Sequence, residues 1–256
     1  MDVLLLKGMK ALHGPSLVAL KKERKKRERI WVDLNERESD VLQEFGITRA
    51  LFRAMNRSEL PLYREFNGIV CLLAFNLRLN NNLAKERLHI YVTKEFVVTV
   101  NCRRYMDAFR QLGKESATPE DVMCFILLEV SEDNERVVEA VEDKIDGVEE
   151  KLIRRHEIHV EGLLALKRTI LAINKVFWHE RDMLFYLRHC TALEFGSEAR
   201  VELDEAHNSL LYCIDLNGTF REILTDSLDV YHTVLSTKIN FAIKKLTVVT
   251  VILAIV

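Results

Sequence analysis

The chain has 256 residues, is 48% hydrophobic and 30% charged, and sets 37 basic against 39 acidic residues for a formal net charge of -2. That balance excludes the strongly basic profile of a nucleic-acid binder or a polybasic membrane-surface protein, and the length suits one large domain or one domain with an extension. Five scattered cysteines without a C-x-x-C spacing indicate neither a disulfide framework nor a zinc site, and they suit a reducing compartment.

Residues 1–27 give no clear element. "MDVLLLKGMKALHG" is too short and too broken for a secretory signal. The basic run "KKERKKRER" (21–29) reads as a solvated loop or helix edge, because no stacking aromatics accompany it. Residues 28–105 alternate strands and short helices. "RIWVDL" is a strand, Asn35 caps the following helix and Gly46 stops it, and "ITRALFRAMN" is a second short helix. "NGIVCLLAFNLRL" and "LHIYVTKEFVVTVN" are rich in Val, Ile and Phe. The second is a hairpin with Lys94 and Glu95 near its turn.

From Met106 to about residue 195 the strand pattern vanishes. Thr118 and Asp121 form a capping box before a long helix whose later half is acidic, and another helix runs from about Glu161 to His189. Residues 197–245 hold no proline and one glycine, Gly218, and read as a stalk helix. Its apolar seam runs Leu224, Leu228, Tyr231, Leu235, Ile239, Ala242, Leu246, Val249 and Leu253 in steps of three and four. A seam that long outruns one domain and calls for copies of itself, so an oligomeric bundle is expected. Residues 246–256 are apolar, follow Lys244 and Lys245, and cover about half of the ~20 residues that a bilayer needs. They read as the start of a membrane span cut by the chain's end. The fold class is therefore α+β: a mixed sheet flanked by helices, then long helices including the stalk.

Catalytic signals are weak. There is no G-x-S-x-G, P-loop, G-x-G-x-x-G or H-E-x-x-H, so an enzyme is disfavoured. "HEIH" (His156, His159) and His179 lack a well-spaced third ligand and read as surface histidines. Two acidic clusters are more informative: Glu139, Glu142, Asp143 and Asp146 on the acidic helix, and Glu202, Asp204 and Glu205 near the start of the stalk. Carboxylate surfaces of this kind suit a hard, hydrated cation such as Mg²⁺.

"NGTFREILTDSLDVYHTVLSTKINFAIKKLTVVTVI" resembles the end of the stalk helix and the start of the first membrane helix of CorA-type magnesium transporters, through F-R-E-I, L-D-V-Y, K-x-N and K-x-L-T. "IWVDLNERESDVLQEFGI" resembles the family's strand and the helix after it, and "VEDKIDGVEEKL" resembles the acidic tip of its paired helices. The resemblance spans about residues 28 to 256 and places the family's Gly-Met-Asn motif just beyond Val256. It implies a homopentameric channel in the cell membrane, multi-pass, with this part on the cytoplasmic side. It also implies Mg²⁺ or Co²⁺ as the transported and regulatory ion, while the charge balance argues against a nucleic-acid partner. By resemblance Glu205, with Asp204 beside it, is the stalk acid of an intersubunit metal site to which Glu142 and Asp143 contribute. Asp229, Asn240, Ile243 and Leu246 line the stalk or pore by the same resemblance. Ala50 and Leu51 stand where the family has an acidic pair, and Glu59 is the nearest acid after them. A zinc-transporting branch of the superfamily and a tail-anchored helical scaffold are the alternatives.

Overall fold

A computed structural model describes residues 1–13, 29–80, 82–153 and 160–255. Most of the basic run and both "HEIH" histidines lie outside the described residues. One seven-stranded mixed sheet carries the N-terminal half, in the order β2-β1-β3-β7-β6-β5-β4. The strands are β1 (Asp2–Leu5), β2 (Lys10–His13), β3 (Ile30–Leu34), β4 (Leu62–Phe66), β5 (Ile69–Leu79), β6 (Leu83–Val92) and β7 (Phe96–Val100). Only β3 and β7 pair in parallel; the other pairs are antiparallel. β3 and β7 are buried at every position, which is why they read as continuous apolar runs rather than alternating ones.

Three strand pairings go beyond the elements expected from the sequence. β1 and β2 form a hairpin whose turn holds Gly8 and Met9 at positive φ, and β1 is sandwiched between β2 and β3. β4 is an edge strand joined to β5 through Asn67 and Gly68, both at positive φ. That Asn-Gly pair is the strongest short-range hairpin signal in the chain.

Asn35 accepts from the backbone N–H groups of Arg37 and Glu38, and the Glu38 carboxylate accepts from Asn35 N–H, which opens a 3-10 helix over Glu36–Phe45. Gly46 closes it at φ +79°. Helices α1 (Arg49–Asn56) and α2 (Arg103–Gln111) are short. Helix α3 (Pro119–Ile153) opens on the expected box: Thr118 N–H donates to the Asp121 carboxylate, and Asp121 N–H donates to Thr118 Oγ1. α4 (Val160–Arg188) and the 59-residue α5 (Ser197–Ile255) complete the chain. α3 and α4 cover the sheet over β5 and its neighbours, and α5 packs against both. In the core, Trp31, Phe109 and Phe125 meet edge to face.

Polar ties cross these layers. Trp31 Nε1 donates to Thr99 Oγ1, which donates to Asp33, which also accepts from Cys102 N–H. Asn134 of α3 accepts from Leu77 N–H and donates to the Phe75 carbonyl, fixing α3 on β5. α5 leaves the domain after its last buried residue, Ser227, and every described side chain from Leu235 onward is exposed. The projecting part, about 20 residues, is ~30 Å long. Among the described residues no helix is long and apolar enough to cross a membrane.

Candidate functional site

On a continuous helix each residue turns ~100°, so direction along α5 follows from spacing. Asp229 and Asn240 point within about 20° of each other, and Ile243 within about 60° of Asn240. Leu246 points about 120° from Asn240 and falls on the seam that begins at Leu224. Leu224 is fully buried against the domain and Leu228 half-buried, so the lower seam faces the chain's own α3 and α4. Asp229 and Asn240 are exposed on another side. Ser236 and Thr247 share that direction to within about 20° of Asp229 and were not singled out from the sequence. Polar residues at steps of seven and four (229, 236, 240, 247) were the signal that could have found them. Thr247 Oγ1 donates to the Ile243 carbonyl and Thr250 Oγ1 to that of Leu246, so both hydroxyls are satisfied within the helix.

The two acidic clusters do not meet in one chain. Ser209 Oγ donates to Glu135, and Lys114 pairs with Glu198 at 2.7 Å, so α3 and α5 run parallel. Glu142 lies seven residues beyond Glu135, and Asp204 five residues before Ser209. The clusters are therefore ~18 Å apart along the helices. Glu142, Asp143 and Glu205 are exposed and make no ion pair among the described residues, whereas Asp204 pairs with Arg188 at 2.9 Å. Glu202 is half-buried, and desolvation raises its pKa despite the nearby Lys114. Where the resemblance calls for an acidic pair, Ala50 is exposed and Leu51 is packed inward; nearby Asp40 is paired with Arg49 at 3.1 Å. Glu59 is exposed. Among the described residues no three His, Cys, Asp or Glu side chains are grouped to hold a metal ion. The ~18 Å offset keeps the two clusters from sharing one ion, and an ion at either of them needs donors from a second copy of the chain.

A buried polar layer inside the helical part gave no sequence signal. Glu180 is almost fully buried and among the described residues accepts only from Asn134 Nδ2 at 3.4 Å, and burial pushes its pKa up to about 8. Asn217, in α5, is buried with neither side-chain polar atom hydrogen-bonded.

Comparison with known proteins fits this architecture. Residues 27–255 match the family model described as CorA-like Mg²⁺ transporter protein. A cobalt/magnesium transport protein CorA of Methanocaldococcus jannaschii is 24% identical over 242 residues, 88% of this chain and 76% of that protein. One of the same name from Thermotoga maritima is 28% identical over 241 residues, 87% of this chain and 68% of that protein. The complete structure of the CorA magnesium transporter from Methanocaldococcus jannaschii superposes with a TM-score of 0.79 at 19% identity, covering 98% of this chain and 82% of that one. With the family model matched over nearly the whole length, the chain belongs to the CorA-like Mg²⁺ transporter protein family.

Proposed function

We propose that this chain is the cytoplasmic regulatory domain, with its stalk, of a homopentameric channel that carries Mg²⁺, with Co²⁺ as a second substrate, and that intracellular Mg²⁺ closes it. The observation that carries this reading is the family match over residues 27–255, joined to a 59-residue helix that projects an exposed apolar end from an α+β domain. Lys244 and Lys245 directly precede that end, as cations do at the cytoplasmic edge of a span, which supports a multi-pass protein with this domain inside the cell.

In the assembled ring, Asp229 offers negative charge below the pore and Asn240 offers amide oxygens to the hydrated ion. Ile243 and Leu246 supply the apolar constriction, which holds the pore shut by dewetting. Inward flux is driven by the membrane potential at ~2.3 kcal/mol per charge per 100 mV, twice that for a divalent ion. Regulatory Mg²⁺ sits between neighbours on exposed carboxylates: one ion on Glu205 and Asp204 of the stalk and another on Glu142 and Asp143 of α3, each completed by donors from a neighbouring copy. Oxygen donors with room for retained water suit Mg²⁺. Ala50 and Leu51 supply no ligand, so the site is displaced toward the stalk and weaker than one with an acidic pair there.

The test is uptake by cells stripped of their own Mg²⁺ transporters and expressing the full-length protein. Growth at low Mg²⁺, with Mg²⁺ influx that stops as internal Mg²⁺ rises, is expected. Zn²⁺ influx without Mg²⁺ influx would move the protein to a zinc carrier. No divalent influx from protein seated in the membrane would overturn the reading.

A further inference from the structure

α3 and α4 carry opposite charges that do not meet among the described residues. Over residues 139–151, α3 has six acids and two lysines; over residues 163–181, α4 has four cationic residues and one acid, the buried Glu180. Glu139, Glu142, Asp143, Asp146 and Glu149 are exposed and make no ion pair among the described residues. The same holds for Arg168 and Lys175 on α4. Between the cations runs an apolar seam: Leu164, Leu171, Trp178 and Phe185, each 41–53% exposed and spaced by seven residues. Seven residues make nearly two turns, so the four form a straight line ~32 Å long. Arg168, Leu171, Lys175 and Trp178 alternate in steps of three and four, which puts charge and apolar surface on one face.

The heights of the two faces agree. Glu135 is level with Ser209, and Arg188 is level with Asp204 and His207, through direct contacts. At ~1.5 Å per residue from those anchors, Lys175 stands level with Asp143 and Asp146, and Arg168 with Glu149. A contact between two different faces of identical chains is head-to-tail, and it closes into a ring only when the operation has no rise along its axis. Faces at equal height along α5 meet that condition; faces at different heights would make a filament.

We propose that the basic, aromatic face of α4 docks on the acidic face of α3 in a second copy of this chain, at each interface of a closed ring. This rests on the homo-oligomer reading above and adds the surfaces that make it. Single exposed ion pairs contribute little. Several pairs around a seam that buries Leu171 and Trp178 give direction and specificity, and the like charges on each face penalise wrong registers.

The experiment uses full-length protein in membranes, with the half-exposed Cys190 changed to Ser. Asp146→Cys together with Leu171→Cys should cross-link copies on mild oxidation, and neither single variant should. Arg168→Glu with Lys175→Glu should lower the cross-link yield about tenfold, and adding Asp146→Lys with Glu149→Lys should restore association; in that charge-swapped chain, Glu142→Cys with Trp178→Cys, which stand level, reports the contact. Sizing in detergent runs alongside. An oligomer that forms no α3–α4 cross-link overturns the docking and leaves the homo-oligomer standing. A monomer overturns both.

Discussion

Glu180 is a buried carboxyl that makes no ion pair among the described residues. Among the described residues its only hydrogen-bond partner is Asn134, which is itself tied to β5, and the titratable side chain facing it from α5 is Cys213, whose thiol burial pushes up to about 12. Glu135 and Glu139 of α3 also act on that thiol and disfavour a further negative charge there. Desolvation therefore keeps Glu180 protonated in the folded chain up to about pH 8. The unfolded chain releases that proton near pH 4.5, so the folded state binds more protons between the two values. Its stability then falls as pH rises through this window and levels off above it. Asp33 behaves the same way at lower pH, because burial raises its pKa to about 6. The window from pH 6.5 to 8.5 consequently reports mainly Glu180. Glu180→Gln keeps the amide-like acceptor for Asn134 and cannot ionise. Relative to this variant, the wild-type chain should lose about 2 kcal/mol of stability between pH 6.5 and pH 8.5, an order-of-magnitude expectation from ~1.4 kcal/mol per pKa unit. Denaturant melts at the two pH values check it, and parallel curves for wild type and variant would place the proton elsewhere.

Elements bounded by side-chain chemistry were legible in the sequence; elements bounded only by pairing were not. Asn35, Gly46, Thr118 and Asp121 each satisfy backbone groups at a helix end, and the structure puts every one of them at that task. β1 has four residues, and its identity as a strand comes from lying between β2 and β3, which a local pattern does not carry. β4 alternates poorly as a half-exposed edge strand, and the signal that does mark it is the Asn67-Gly68 turn joining it to β5. The difference between a glycine that is required and one that is tolerated follows the same logic. Gly46 sits at φ +79°, where a Cβ is strained, while Gly218 lies within α5 with nothing within 4 Å of an added Cβ. Gly46→Ala should destabilise by ~1 kcal/mol, and Gly218→Ala should stabilise by ~0.5–1 kcal/mol through reduced unfolded-state entropy. Thermal melts separate the two signs, and a stabilising Gly46→Ala would mean that the cap relaxes out of the left-handed region.

At the scale of the whole molecule, the stalk's identity was readable but its facing was not. Periodicity marked one long seam and put Leu246 on it, yet periodicity alone does not say which side of a seam meets the domain. Leu224, buried at the seam's lower end, settles that for the lower stalk. If the helix continues straight, the seam stays on the domain side, and Asp229, Ser236, Asn240 and Thr247 turn toward the axis of a ring. Supercoiling does not reconcile Asn240 with Leu246, because a 3.5-residue repeat shifts direction by only about 20° per seven residues. Ile243, about 60° from each, is the apolar side chain nearest the polar line. The closing constriction of the proposed channel then depends more on Ile243 than on Leu246. In the full-length protein, Ile243→Gly should let Mg²⁺ enter when internal Mg²⁺ is already high, and Leu246→Gly should leak less. Both variants carry the same helix-propensity cost of ~1 kcal/mol, so a difference between them reports direction and not helix loss. Influx measured in Mg²⁺-loaded cells decides the order. Greater leakage from Leu246→Gly would mean that α5 rotates between the domain and the membrane and turns its seam to the axis.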